Sequence, residues 1–161
     1  MIEYRTGNLL SADAEALVNA VNCVGVMGKG IALQFKQAYV ENFHVYQRAC
    51  TAHELRIGTV LTVPTGQLLP KYIIIFPAKD HWKGKSDLSF IQDGLVALIE
   101  EVRRRGIASI AIPALGCGNG GLEWCDVCPM IEEAFASLPW VQVLIFASQD
   151  APDSETIPAL P

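Results

Sequence analysis

Tyr72-Ile73-Ile74-Ile75-Phe76-Pro77 is an unbroken apolar run ending at a proline. Such a run suits a strand covered on both faces. The segment after it supports that reading. Across residues 87–105, Leu88, Ile91, Leu95, Leu98, Ile99 and Val102 recur at spacings of three and four, which gives a helix with one apolar face. Ser86 suits its N-cap and Asp87 its positive start. Arg103, Arg104 and Arg105 suit the negative end, and Gly106 can close it in a left-handed conformation. The arginine run therefore reads as a solvated helix end rather than a nucleic-acid patch. A second apolar run, residues 109–114, comes next.

On either side of this unit, residues 2–5, 16–21, 60–64 and 141–147 also read as strands. Helical patterns cover about 30–50, with a break expected near Asn42, and about 124–137, with Ile131, Ala134, Phe135 and Leu138 on one face. Pro129 is expected in the first turn of that last helix or just inside it, where a missing N–H costs least. Strands alternating with helices imply a mostly parallel sheet sandwiched between helices.

The chain has 161 residues, enough for one domain with a proper core. The domain is expected over residues 1–149. Residues 150–161 are proline-rich and lack periodicity, and read as a tail or linker cut from a longer chain. No run is long enough to cross a membrane and the first residues lack a signal-peptide core. Five cysteines without a disulfide framework suit a reducing compartment, so a cytoplasmic protein is expected. The net charge of −5 argues against non-specific clamping of DNA phosphates and leaves nucleic acid only a local site.

Three loops carry the chemistry, each after a strand, where open α/β sheets bind ligands. The first runs Asn19-Ala20-Val21-Asn22-Cys23-Val24-Gly25-Val26-Met27-Gly28-Lys29-Gly30-Ile31. Glycines ahead of a helix leave N–H groups free for an anion. It is not a phosphate loop of the Walker type, because Gly30 follows Lys29 where serine or threonine is needed. The second is Gly116-Cys117-Gly118-Asn119-Gly120-Gly121, whose glycines allow close approach to a diphosphate. It matches the dinucleotide fingerprint in letters only, since one strand remains after it and no acidic partner follows. The third is Phe76-Pro77-Ala78-Lys79-Asp80-His81-Trp82. A lysine on a pocket floor can act as a nucleophile when desolvation lowers its pKa. Cys125 and Cys128 lack the further ligands of a zinc site and read as two packed thiols.

Together these loops resemble the macrodomain family. The resemblance spans about residues 1–149 and implies a three-layer α/β/α fold with a mixed, mostly parallel six-stranded sheet that binds ADP-ribose. The stretches Gly25-Val26-Met27-Gly28-Lys29-Gly30-Ile31-Ala32-Leu33-Gln34-Phe35-Lys36, Phe76-Pro77-Ala78-Lys79 and Gly116-Cys117-Gly118-Asn119-Gly120-Gly121-Leu122-Glu123-Trp124 look most like the lysine-bearing, antitoxin branch (DarG-type macrodomains). That branch removes ADP-ribose from thymidine in single-stranded DNA, undoing a DNA ADP-ribosyltransferase toxin.

The resemblance implies Lys79 as the catalytic residue. It assigns Asn8 and Leu9 to the adenine side, Ala20, Val21 and Asn22 to the distal ribose region, and Gly28, Lys29, Gly30 and Ile31 with Gly116, Cys117, Gly118, Asn119, Gly120 and Gly121 to the diphosphate. Asn8 stands where many members carry Asp. The late loop lacks the Asp of related lysine-bearing hydrolases, which leaves Glu123, Asp80 or an ordered water as proton donor. Asp80, Trp82 and Glu123 are also candidates for contact with the base. The reading calls for no metal or cofactor and no membrane partner. The toxin is expected as a partner, through a region beyond this chain. Rival readings are a protein-directed ADP-ribosyl hydrolase, an ADP-ribose reader without chemistry, and a phosphoesterase acting on ADP-ribose 1″-phosphate.

Overall fold

The structure, a computed structural model, describes residues 1–147. The expected boundary at residue 149 and the proline-rich tail lie outside them. In chain order the strands are β1 (Ile2–Tyr4), β2 (Ala16–Val21), β3 (Leu61–Pro64), β4 (Tyr72–Pro77), β5 (Ser109–Pro113) and β6 (Gln142–Phe146). The α-helices are α1 (Gly30–Ala38), α2 (Val40–Thr51), α3 (Leu88–Arg105) and α4 (Trp124–Phe135). A short 3₁₀ turn covers Leu9–Ser11.

The sheet order is β1-β6-β5-β2-β4-β3. Every pairing is parallel except β3 with β4. Residues 65–71 join that pair. They are too few for a crossover, so the chain must turn back on itself. The expected mixed, mostly parallel six-stranded sheet is the one observed.

Side-chain alternation along β4 builds the layers. Ile73, Ile74, Ile75 and Phe76 are all fully buried. Ile74 and Phe76 pack with Ile91, Leu95 and Leu98 of α3 and Val127 and Ile131 of α4. Ile73 packs with Ile31 and Phe35 of α1, and Ile75 with Phe43 and Tyr46 of α2. A sheet with helices on both faces explains why the run carries no polar alternation. Gly94 lets α3 lie flat on β4, since a Cβ there would sit 2.4 Å from the Phe76 ring.

The helix ends show where sequence and structure agree and part. Gly106 closes α3 at φ 65°, ψ 35°, and Ile107 N donates to Val102 O. Arg103 pairs with Glu100, and Arg104 and Arg105 with Glu101, so the arginine run is spent on its own helix. The break between α1 and α2 falls at Tyr39, not near Asn42, which is buried in the first turn of α2. Leaving helical geometry at Tyr39 lets Phe35 and Phe43 each face the sheet. Pro129 lies in the second turn of α4, where packing of Val127 and Ile131 holds the helix despite the lost N–H. The Cys125–Cys128 expectation needs correction. Both thiols are free, and Cys125 is exposed while Cys128 is half-buried against Tyr4. No helix among the described residues is long and apolar enough to cross a membrane.

Candidate functional site

Strands β5, β2 and β4 are neighbours, so the loops leaving their carboxyl ends lie side by side. They enclose a cleft of about 430 Å³. The first loop and the start of α1 form one wall, through Gly28, Lys29, Gly30 and Ile31. The helix begins without a side-chain cap, which leaves its leading amides available to an anion. The glycine loop after β5 forms the opposite wall, through Gly116, Gly118, Asn119 and Gly120. The walls meet, because a Cβ on Gly30 would lie 3.7 Å from Asn119 Nδ2.

The glycine loop has little slack. Gly116 sits at φ 74°, and a Cβ there would come 2.7 Å from Ser86 Oγ and 2.8 Å from Leu122 Cδ1. A Cβ on Gly120 would come 2.4 Å from Gly116 O. Ser86 is what the loop closes against. Its place in the sequence suits the N-cap of α3, but Asp87 takes that role, accepting from Ser89 N at 3.0 Å. The buried Ser86 hydroxyl instead donates to Ala78 O, and Ser86 N donates to Gly120 O at 2.9 Å. One residue thus ties the lysine loop to the glycine loop.

Lys79 stands between the walls. Its Nζ donates to Trp82 O at 3.1 Å. Burial pushes its pKa below the ordinary lysine value, and the charges of Lys29 and Lys85 push it further down. Lys29, Lys79, Lys83 and Lys85 all line the cleft, and none of its lining residues is acidic. A chain with a net charge of −5 therefore presents a cationic cleft, the local site its composition allowed. Glycine amides, a helix start and lysines around a half-buried amine suit a diphosphate held next to a nucleophile.

The Macro domain family matches residues 18–131. The chain belongs to that family. It is 55% identical over 147 residues to a DNA ADP-ribosyl glycohydrolase of Mycobacterium tuberculosis, covering 91% of this chain and 42% of that protein. The chain thus spans less than half the length of this and other curated DNA ADP-ribosyl glycohydrolases it matches. Among solved structures, the macrodomain of M. tuberculosis DarG superposes with a TM-score of 0.90, covering 91% of this chain and 97% of that one. Thermosipho africanus DarTG in complex with ADP-ribose superposes with a TM-score of 0.80 at 34% identity, covering 92% of this chain and 42% of that one.

In this macrodomain, Ala20, Val21, Asn22, Gly28 to Ile31, Lys79, Trp82, Gly116, Gly118, Asn119 and Gly120 line one cleft. Asn22 does so with its side chain mostly engaged. Its Oδ1 accepts from Val24 N at 3.0 Å and Tyr46 OH at 2.7 Å, and its Nδ2 donates to Val26 O at 2.8 Å. One amide hydrogen is left for a ligand. Tyr46, fully buried, is a positioning residue that no motif in the sequence marks.

The remaining expected residues lie off the lining. Asn8 caps the 3₁₀ turn, accepting from Leu10 N at 3.1 Å. The Leu9 side chain is enclosed in the core beside α1. Cys117 and Gly121 shape the glycine loop, Gly121 at φ 84°. Glu123 is exposed at the start of α4. Asp80 lines a separate cavity behind Lys79. Val26, Ala32, Lys83, Gly84 and Lys85 also line the cleft, beyond the residues expected there. A signal for the lysines existed, since Lys79, Lys83 and Lys85 crowd into seven residues between a strand and a helix.

Proposed function

We propose that this macrodomain removes ADP-ribose from thymidine bases in single-stranded DNA, as antitoxin to a DNA ADP-ribosyltransferase toxin. The observation that carries the reading is Lys79, half-buried among like charges between two glycine walls. The relatives' names support the substrate. One is called a DNA ADP-ribosyl glycohydrolase, and another a fusion of that activity with a DNA ADP-ribosyl transferase. A solved relative holds ADP-ribose. Five free cysteines suit a cytoplasmic setting.

On this reading the diphosphate lies over the start of α1 and the glycine loop, with Lys29 and Lys85 offsetting its charge. Binding holds the anomeric carbon beside Lys79 and so converts affinity into positioning. The neutral amine gives its lone pair to that carbon as the bond to the base nitrogen breaks. The base leaves with the bonding pair. The new ammonium on the lysine nitrogen returns a proton to the base, so no separate acid is required from Asp80 or Glu123. The ribose ring opens to an imine on Lys79. Water adds to the imine carbon, frees the amine and releases ADP-ribose. The bond from Nζ to Trp82 O uses one N–H and leaves the lone pair for the cleft.

The test is incubation with a single-stranded oligonucleotide ADP-ribosylated on thymidine. Wild-type protein should clear the modification. Lys79→Ala should lose turnover and still bind ADP-ribose. Near-wild-type turnover by that variant would end the lysine mechanism. Clearance of modified protein but not modified DNA would favour the protein-directed hydrolase, and binding without any product would favour a reader.

A further inference from the structure

The ridge that carries Lys79 has a second side. Extensions of β2 and β4 form it, with Ala78 N donating to Val21 O at 2.8 Å and Cys23 N to Asp80 O at 3.2 Å. Neighbouring residues along it alternate between two cavities. Asn22 and Lys79 line the first, while Cys23 and Asp80 line the second. The second cavity, of about 490 Å³, lies within the range of small-ligand sites. Asp80 on its wall directly follows Lys79 in the chain.

We propose that this second cavity holds a nucleotide adjoining the modified thymidine in the DNA strand, with Arg56 on its phosphate and Asp80 on its base edge. The inference rests on the DNA reading above and names the part of the strand that the protein grips. A strand that crosses this ridge from a thymidine held at Lys79 would enter the cavity on its other side, because adjoining residues of the ridge line the two cavities.

The lining has the chemistry of a nucleotide site. Leu55 and Cys50 are buried and give an apolar floor for a base face. Arg56 stands exposed at the rim, and among the described residues its guanidinium makes no salt bridge. Such a fork suits a phosphate. His53 and His81 complete the rim. His53 sits at the rim because it closes α2 in the left-handed conformation at φ 58°, with His53 N donating to Cys50 O and Glu54 N to Ala49 O. Asp80 is the lone acidic residue on the wall. A carboxylate accepts from an exocyclic amino group, so the cavity favours cytosine, adenine or guanine over thymine at this neighbour.

Two measurements test this. The first compares KM and kcat for a modified oligonucleotide with those for ADP-ribosylated thymidine lacking flanking nucleotides. Arg56→Ala should raise KM for the oligonucleotide roughly fivefold, leave its kcat unchanged, and move the nucleoside's constants less than twofold. The salt dependence of oligonucleotide binding should weaken by about 0.7 in log–log slope, the loss of one single-strand phosphate contact. Equal KM changes on both substrates, or no change on either, would overturn the proposal. The second measurement does not need turnover. An unmodified oligonucleotide titrated into isotope-labelled protein with saturating ADP-ribose should shift the amide signals of Cys23, Leu55, Arg56 and His81, and Arg56→Ala should abolish those shifts. Shifts confined to other surfaces, or none, would refute it. If no modified DNA is hydrolysed yet these shifts appear, the strand site stands and the hydrolase reading falls.

Discussion

Gly120→Ala puts the tightness of the glycine loop to a direct test. No left-handed conformation is required at Gly120, so the backbone itself would accept alanine. The obstacle is contact. The added Cβ would lie 2.4 Å from Gly116 O and 2.9 Å from both Gly116 C and Ser86 Cβ, whereas ordinary contact begins at 3.4 Å. The shortfall of about 1 Å cannot be relieved by a rotamer, because two of the three atoms are backbone. The turn must open against Leu122 N to Gly116 O at 3.0 Å and Ser86 N to Gly120 O at 2.9 Å. Overpacking of this kind costs about 2 kcal/mol, which lowers Tm by about 4–8 °C in a chain of this size. The amides that face the cleft move as the turn opens, so ADP-ribose affinity should fall at least about tenfold, equivalent to about 1.4 kcal/mol. Thermal unfolding and titration calorimetry with ADP-ribose read the two effects. Gly84→Ala is the stability control, since its Cβ would meet only His81 O at 3.5 Å, and its Tm should stay near wild type. Wild-type Tm and affinity in Gly120→Ala would show that the loop has slack and that its glycines are not needed for closeness.

Two further outcomes rest on charge. Burial and the neighbouring lysines lower the Lys79 pKa, and the neutral amine is the reactive form. Turnover should therefore rise with pH and level off above that lowered value, and Lys85→Met should move the inflection to higher pH and reduce turnover at neutrality. An unmoved inflection in the pH–rate profile would assign it to another group. Glu101 tests the arginine end of α3. Burial alone would raise its pKa, but hydrogen bonds from Thr62, Arg105 and Arg104 hold it at about 2. A carboxylate lowered in the folded state contributes stability above its unfolded value and loses it as pH falls from about 5 towards 2. Glu101→Gln should cost on the order of 2 kcal/mol at pH 7 in denaturant unfolding, with the gap to wild type closing by about pH 2 and ADP-ribose binding untouched.

Much of the architecture is legible because local patterns report burial. The run at 72–77 is apolar on both faces because helices cover both, and the three-and-four spacing of α3 names the residues that meet Phe76 and Ile74. Gly106 and the arginines mark a helix end through backbone geometry and dipole alone, so the sequence is sufficient there. The break at Tyr39 departs from the expected Asn42 because asparagine is a poor helix former in isolation, while in the fold the need to turn Phe35 and Phe43 towards the sheet decides the position. Ser86 departs for a similar reason. A serine before a helix is a good cap locally, but Asp87 is the better one, and the serine hydroxyl is taken by a carbonyl eight residues back.

Local side-chain pattern was enough to set which segments are strands, which loops end at the carboxyl edge, and that Lys79 comes directly after one of them. Those properties depend on side chains within a few residues of one another. The neighbourhood of β5, β2 and β4 belongs to the folded chain alone, and it brings Lys29, fifty residues earlier in the chain, close enough to add to the bias that the nearby Lys85 puts on Lys79. So do the hydrogen bond from Tyr46 to Asn22 Oδ1 and the placing of Asp80 on a second cavity rather than the cleft. Strand order sets those distances, and side chains far apart in the chain carry no local pattern that announces their meeting.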